Sequence, residues 1–274
     1  MATVIVDGPF DDLNIRDIRF LEAIARHGPV HVMLHPDRRI SRETGKPPKF
    51  AFEERQYLLE AIRFVKVVRA DDGAPPAAQD LRPDGGRLLW AIAEWHDESR
   101  RASSIDAAGR IGAEILMTTE RDLPPLPPPP RPAPVSDRRP KVIVTGCYDW
   151  LHSGHVRFFE EASGYGELYV VVGSDANVRM LKGPGHPMFG QDKRRYMVAS
   201  IRTVSMALIS SGSGWLDARP EIEAIRPDCY IVNEDGDKPE KRDYCAACGM
   251  KYIVLRRAPR PGLPPRKSTE LRGY

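Results

Sequence analysis

The sequence predicts an α/β protein of two tandem domains, each a doubly wound parallel sheet, with the first copy degenerate. Three observations lead there. Short β-branched runs alternate with helically spaced segments, a pattern that builds parallel sheets covered by helices on both faces. The two halves of the chain repeat one another, and a proline-rich stretch separates them.

In the second half the strands are expected near Val142–Thr145, Leu168–Gly173, Met206–Ile209, Cys229–Asn233 and Tyr252–Arg256. Helical spacing fills the gaps at Val156–Ser163, Asp192–Ile201, Leu216–Ile225 and Lys238–Cys248. The repeat supplies the first half. Gly8-Pro-Phe-Asp-Asp-Leu-Asn-Ile-Arg-Asp17 mirrors Gly146-Cys-Tyr-Asp-Trp-Leu-His-Ser-Gly-His155, 138 positions on. Phe50 to Arg63 matches Phe189 to Arg202, 139 positions on, and Leu81-Arg82-Pro83-Asp84 answers Ile225-Arg226-Pro227-Asp228. A period of this length is a duplicated domain, not a solenoid unit.

Between the copies, Pro124 to Pro134 holds prolines too densely for a helix or sheet. It reads as a semi-rigid linker of about 34 Å, or as a ligand for a proline-binding partner. The expected boundaries are 1–123, 124–139 for the linker, and 140–274.

The 274 residues suit two ordinary domains, and 41% hydrophobic with 29% charged residues describes a globular chain. A formal charge of +3 gives no argument for nucleic acid or a membrane surface. No apolar run approaches the ~20 residues of a membrane span, and the start reads as a strand instead of a signal peptide. All four cysteines lie in the second half, unlike a secreted disulfide framework, so a reduced cytoplasmic protein is expected. Cys245-Ala-Ala-Cys248 has metal or redox spacing but no second pair, and it reads as a small-residue helix face. No metal ligand set is expected.

The chemistry concentrates at Gly146 to His155. A β-branched run enters a glycine turn, and His152 and His155 stand at i and i+3 where a helix begins. A helix N-terminus offers free N–H groups and positive partial charge, so two imidazoles there suit a phosphate-rich ligand. Gly154 between them lets a ligand reach the backbone. Two surface histidines beside a turn are the plainer alternative. The copies differ at this point: the first carries Asn14, Arg16 and Asp17, and Glu43 in place of Lys182 by the 139-residue offset. An acidic Asp17 repels an anion, so the first copy is expected to be dead toward nucleotides.

Gly146 to His155, Leu181-Lys182-Gly183, Lys193-Arg194 through Arg202, and Arg266-Lys-Ser-Thr-Glu-Leu-Arg272 together resemble the cytidylyltransferase branch of the HxGH nucleotidyltransferases. That branch includes glycerol-3-phosphate, phosphocholine and phosphoethanolamine cytidylyltransferases, and heptose-phosphate adenylyltransferases share its motifs. The resemblance covers nearly all of the second copy. It implies Rossmann-like domains and transfer of a nucleoside monophosphate, CMP from CTP in this branch, to a phosphorylated small alcohol or sugar, with release of pyrophosphate. The tandem layout is similar to phosphoethanolamine cytidylyltransferase, where the intact copy comes first; here it comes second. An ATP-dependent adenylyltransferase and a non-catalytic nucleotide sensor or scaffold are the other readings.

By the same resemblance His152, His155 and Lys182 are the catalytic residues. Gly146, Tyr148, Asp149, Gly154, Arg194, Arg202, Asp235, Ser268 and Thr269 contact the nucleotide, and Trp215 and Arg256 the acceptor. Mg²⁺ accompanies the triphosphate. Several of these have structural alternatives: a turn aspartate at 149, a fold-keeping role for Arg194 and Arg202 that Arg55 and Arg63 repeat, a capping cluster around Asp235, and simple packing for Trp215. Arg194 and Arg202, eight apart, are expected on one helix face, and of the neighbours Arg256 and Arg257 only one can face the site. The partners implied are a nucleoside triphosphate and a phosphorylated acceptor, with an intramolecular pseudo-dimer or a homo-oligomer as the family's habit.

Overall fold

Two five-stranded sheets, all of whose paired strands run parallel, carry the chain. This is a computed structural model, and it describes residues 2–71, 73, 81, 86–136, 139–268 and 270–273. The chain divides into two compact units, Met1–Pro125 and Leu126–Tyr274.

The first unit runs β1 (Thr3–Gly8), α1 (Ile15–Ala25), β2 (Val30–Leu34), α2 (Asp37–Thr44), α3 (Phe52–Ala61), β3 (Val65–Ala70), β4 (Leu88–Ala93), α4 (Glu98–Ile111) and β5 (Glu114–Thr118). The second runs β6 (Lys141–Gly146), α5 (Ser153–Ser163), β7 (Glu167–Val172), α6 (Asp175–Lys182), α7 (Gln191–Ala199), β8 (Val204–Ile209), α8 (Arg219–Ile225), β9 (Cys229–Asn233), α9 (Pro239–Cys248) and β10 (Lys251–Leu255). Their strand orders, β3-β2-β1-β4-β5 and β10-β9-β6-β7-β8, are one topology read twice. Both sheets are Rossmann-like and doubly wound. The switch point lies beside the first strand of each, where ligands of such sheets bind. Covered on both faces, β7 is apolar throughout Leu168–Val172 and buried throughout.

The expected strands of the second copy all form. The helices differ at their edges. α5 starts at Ser153, so His152 is its N-cap; α7 stops at Ala199, so Arg202 is not on the helix with Arg194. Leu216 belongs to a 3-10 turn, Gly214–Leu216, ahead of α8. One helix was not anticipated. α6 is short and polar outside, but Ser174 caps its start and Gly183 ends it at positive φ, a frame visible in the sequence. α2 and α6 match residue for residue, each ending at a glycine, so Lys182 corresponds to Thr44, not Glu43. The loss of the cation in the first copy stands. Arg82 to Asp84 of the repeat lie outside the described residues.

The proline-rich segment is anchored at its ends. Arg19 donates 2.7 Å to the Pro124 carbonyl within the first unit, and Arg195 donates to the Pro127 carbonyl within the second. Among the described residues no helix is long and apolar enough to cross a membrane. The four cysteines are free; Cys245 is packed in the core and Cys248 is exposed.

One arginine organises the carboxyl edge of each sheet. Arg194, 1% exposed, donates to the carbonyls of Phe189, Cys147 and Gly173 and pairs with Asp175 at 2.8 Å. Arg55, 0% exposed, makes the same contacts with Phe50, Pro9, His35 and Asp37. Each ties three loops together with charge-assisted bonds, and no apolar side chain can replace them. We expect Arg55→Met and Arg194→Met each to destabilise its own unit by about 3–5 kcal/mol, since buried carbonyls and an aspartate lose their partner. Denaturant titration of each variant checks this; a loss under about 1 kcal/mol is the contrary result.

Candidate active site

At the carboxyl edge of the second sheet lies a cleft of about 380 Å³, and Gly146 to His155 forms one wall of it. The wall is shaped by two glycines. A Cβ on Gly146 would stand 2.7 Å from the Tyr148 ring, and one on Gly154 would stand 3.0 Å from the His152 ring. Gly154 therefore makes room for an imidazole as well as for a ligand. Tyr148 sits at φ +52°, as Phe10 does at φ +41° in the first unit, and this turn folds the ring back under the helix start.

His152 caps α5: its Nδ1 accepts from the Gly154 N–H at 3.1 Å. The neutral tautomer this imposes carries its proton on Nε2. His155 stacks on it with ring centroids 3.9 Å apart, and Tyr148 meets His155 edge-on at 5.2 Å. Burial, with Arg257 and Arg266 nearby, pushes the His152 pKa down to about 3. Burial also drives His155 well below the ordinary histidine value, helped by His152, Arg257 and Lys182. Both rings are neutral at pH 7. Among the described residues, three buried polar atoms here have no hydrogen-bond partner: His152 Nε2, His155 Nδ1 and Tyr148 Oη. Native structures rarely leave such atoms unpaired without a use for them.

The first unit answers each of the three. Phe10 has no hydroxyl, and Asn14 and Asp17 form a closed capping box in which Asn14 Oδ1 accepts from Arg16 N and Asp17 N, and Asp17 Oδ2 from Asn14 N. Burial lifts the Asp17 carboxyl to about 6. The hollow beside this turn, about 240 Å³, is lined by Asp11, Asp12 and Asp17 together with His96 and Arg100.

Lys182, the exposed last residue of α6, lines the cleft, as do Asp235, Trp215 and Ser268. Ser268 Oγ donates to the Trp150 carbonyl at 3.3 Å. Thr269 lies outside the described residues. Asp235 pairs with Arg257, whose Nη2 also donates to the Arg266 carbonyl at 2.9 Å. Trp215 is 44% exposed, with the Lys238 ammonium 4.5 Å from its ring centroid. Asp149 lines the cleft but is committed elsewhere: its carboxylate accepts from the Met188 and Phe189 N–H groups at 2.8 and 3.0 Å, as Asp11 does from Lys49 and Phe50. It pins the loop between α6 and α7.

Three expected residues lie off the cleft. Arg194 is consumed by the loop contacts already described. Arg202 precedes the amino end of β8, the edge opposite the cleft. Arg256 borders a neighbouring hollow with Pro259 and Pro265, and Arg257 is the one that reaches the cleft. The alternation expected of strand neighbours does not decide between them, because β10 ends at Leu255. Lys241, Asn177 and Asp217 also line the cleft and were not anticipated. Asn177 on α6 donates 2.8 Å to the Asp217 carboxylate in the turn before α8, a pairing that no local pattern announces. For Lys241 a signal existed in the repeat, since Arg100 stands at the matching place.

A family profile described as cytidylyltransferase-like matches residues 143–260. FAD synthase from Aciduliprofundum boonei is 37% identical over 119 residues, 42% of this chain and 76% of that protein. The bifunctional protein HldE of Koribacter versatilis is 38% identical over 95 residues, and that of Pseudomonas fluorescens 34% identical over 119. Those stretches are 34% and 42% of this chain but only 19% and 24% of the HldE proteins, so the chain spans about a quarter or less of their length. With the strand–turn–helix geometry of His152 to His155 and a relative matched over three-quarters of its length, the chain belongs to the cytidylyltransferase-like enzymes of the HxGH nucleotidyltransferase superfamily.

Proposed function

We propose that the second unit transfers a nucleoside monophosphate from a triphosphate to the phosphate of a small phosphorylated alcohol or sugar. An acceptor phosphate oxygen attacks the α-phosphorus, the bond from that phosphorus to the bridging oxygen of the β-phosphate breaks, and pyrophosphate leaves. The observation that carries this reading is the convergence of His152 Nε2, His155 Nδ1 and Tyr148 Oη, buried and unpaired, on one end of α5.

Phosphoryl-type transfer asks the protein for in-line positioning and for neutralisation of charge on the equatorial and leaving oxygens. The His152 Nε2–H is a preformed donor for such an oxygen. The α5 N-terminus adds its N–H groups, Lys182 a mobile ammonium, and Arg257, Ser268 and Thr269 the donors for the far phosphates. Asp235 and Trp215 line the same cleft and are assigned to ribose and acceptor in this reading. Arg194 and Asp149 position these groups from behind by holding their loops, and Arg202 and Arg256 have no place in the scheme. Among the described residues no group of three or more His, Cys, Asp or Glu could hold a metal ion. Mg²⁺ would accompany the triphosphate as its counter-charge.

The similarity to FAD synthase, whose named product contains adenine, favours ATP over CTP as the donor. Thermal shift with Mg²⁺ and each of ATP, CTP, GTP and UTP tests this; a ligand at 100 times its Kd adds about 2.7 kcal/mol. Stabilisation by CTP alone contradicts the adenylyl reading. Pyrophosphate release with a panel of phosphorylated alcohols and sugars tests the transfer itself. His155→Ala is expected to lower kcat about 10²–10³-fold, the usual worth of one charge-stabilising donor. Nucleotide binding without pyrophosphate from any acceptor would instead indicate a sensor.

A pH test addresses the neutral imidazoles. His152 binds fewer protons folded, at a pKa of about 3, than unfolded, at 6.5. Its stabilising effect is complete above pH 6.5 and is lost as pH falls toward 3, on the order of 4 kcal/mol in all. His152→Asn keeps a cap oxygen, as Asn14 does, and is expected to flatten the acid limb of a stability-against-pH curve. An unchanged acid limb is the contrary outcome.

A further inference from the structure

Lys241, at the first turn of α9, is a buried cation of the cleft without an anionic partner. It is 6% exposed, and its Nζ makes two long hydrogen bonds, 3.3 Å to Thr145 Oγ1 and 3.4 Å to the Gly236 carbonyl. It stands 5.4 Å from the Tyr230 ring centroid. Among the described residues no carboxylate lies within ion-pair distance of it; Asp217, its strongest opposite charge, is bonded to Asn177. An ammonium is costly to bury unpaired, and such groups in a cleft are candidates for function.

The first unit settles the matching place differently. Arg100 lies three residues past the N-cap Asp97, as Lys241 lies three past Lys238. Where Thr145 nears the end of β6, the first unit has Asp7 near the end of β1. Arg100 donates to the Asp7 carbonyl, and Asp7, Asp17 and Asp97 all favour its charge. The Asp7 carboxylate, 4% exposed, is itself held by Trp90, Ser104 and His35. The copy without the histidine pair brings its own anions to this cation. In the copy with the pair the carboxylates that favour the Lys241 charge are Asp217 and Asp237, from beyond ion-pair distance, and β6 carries the neutral Thr145 where β1 carries Asp7.

We propose that Lys241 is an acceptor-binding residue whose ammonium takes a phosphate oxygen of the phosphorylated acceptor, an inference that rests on the transfer reading above. The cations of the cleft fall into two groups. His152 and His155 are influenced by Arg257 and, respectively, by Arg266 and Lys182, which leaves that end to the triphosphate. Lys241 is influenced instead by Asp217, Lys238 and Asp237. It comes from α9, whose Cys245 packs with Ala218 and Ile222 of the segment that follows Trp215 and Asp217. Lys241 thus lies between Thr145 and Gly236, with Asp217 and Lys238 beside it, on the side of the cleft that the transfer reading assigns to the acceptor.

The test uses the full chain saturated with a non-hydrolysable nucleoside triphosphate analogue, with inorganic phosphate as the probe in isothermal titration. Lys241→Met is expected to weaken phosphate binding at least about 10-fold, to leave the analogue's Kd within about twofold, and not to lower the melting temperature. Lys241→Arg keeps the charge and restores most of the binding. Thr145→Asp, which copies Asp7, supplies an internal anion and is expected to lose phosphate binding as well. Equal phosphate affinity in wild type and Lys241→Met overturns the proposal. So does a loss confined to the analogue, or wild-type protein that binds the analogue and no phosphate. If the analogue itself does not bind, the transfer reading fails, and phosphate titration of free wild type and Lys241→Met still decides the role of Lys241.

Discussion

The guanidinium of Arg194 holds the site together without touching it. It bonds to Cys147 in the turn after β6, to Gly173 after β7 and to Phe189 before α7, and it pairs with Asp175 at the start of α6. These are the loops that carry the histidine pair and Lys182. A parallel sheet leaves its carboxyl-edge loops independent of one another, since no hairpin joins them. Something must fix their spacing before a ligand can be gripped from two sides. A fully buried arginine with a fork of donors does this with several directed bonds at once, where a lysine offers only a point charge. Asp149 adds a second brace from the turn to the loop before α7.

Duplication separates this frame from the chemistry. Arg55 and Asp11 repeat both braces in the first unit, so that unit keeps the loop geometry. Its cleft residues have drifted toward internal satisfaction. The histidine pair is replaced by a closed Asn14–Asp17 capping box, the tyrosine by Phe10, and the open ammonium by an arginine matched with Asp7. The pairing is incomplete, since His31 Nδ1, His35 Nδ1 and Arg100 Nε of the first unit are also buried without a partner among the described residues. The second unit keeps polar atoms unpaired, which a ligand rich in phosphate oxygens can satisfy.

Electrostatics in that cleft follows from burial. Neutral imidazoles stacked 3.9 Å apart avoid the repulsion that two imidazolium ions would suffer, and the Nδ1 cap bond sets which nitrogen of His152 carries its proton. Positive charge sits on side chains around them, Lys182, Arg257, Lys267 and Lys241. In the transfer proposed above, an anionic ligand would be met by preorganised donors in the middle and by cations at the rim and floor, an arrangement that would need little rearrangement as charge moves.

Much of this was legible in the chain itself. Strand–helix alternation, the proline break, the 138-residue echo and the histidines at a strand–helix junction are local patterns, governed by periodicity and capping that act within a few residues. They were enough for the fold class and the nucleotidyltransferase family, and they single out Gly146 to His155 of the second copy as the site proposed here. Tertiary structure alone decided which cations reach the cleft. Arg194 and Asp149 look like ligand contacts in sequence, but they are taken up by backbone groups 47 and 39 residues away. Arg257 replaces Arg256 because β10 stops two residues short of it, and Lys241 enters because a helix face meets the sheet edge at Thr145. Such assignments depend on which distant groups packing brings within hydrogen-bond reach, and spacing along one chain carries no record of that.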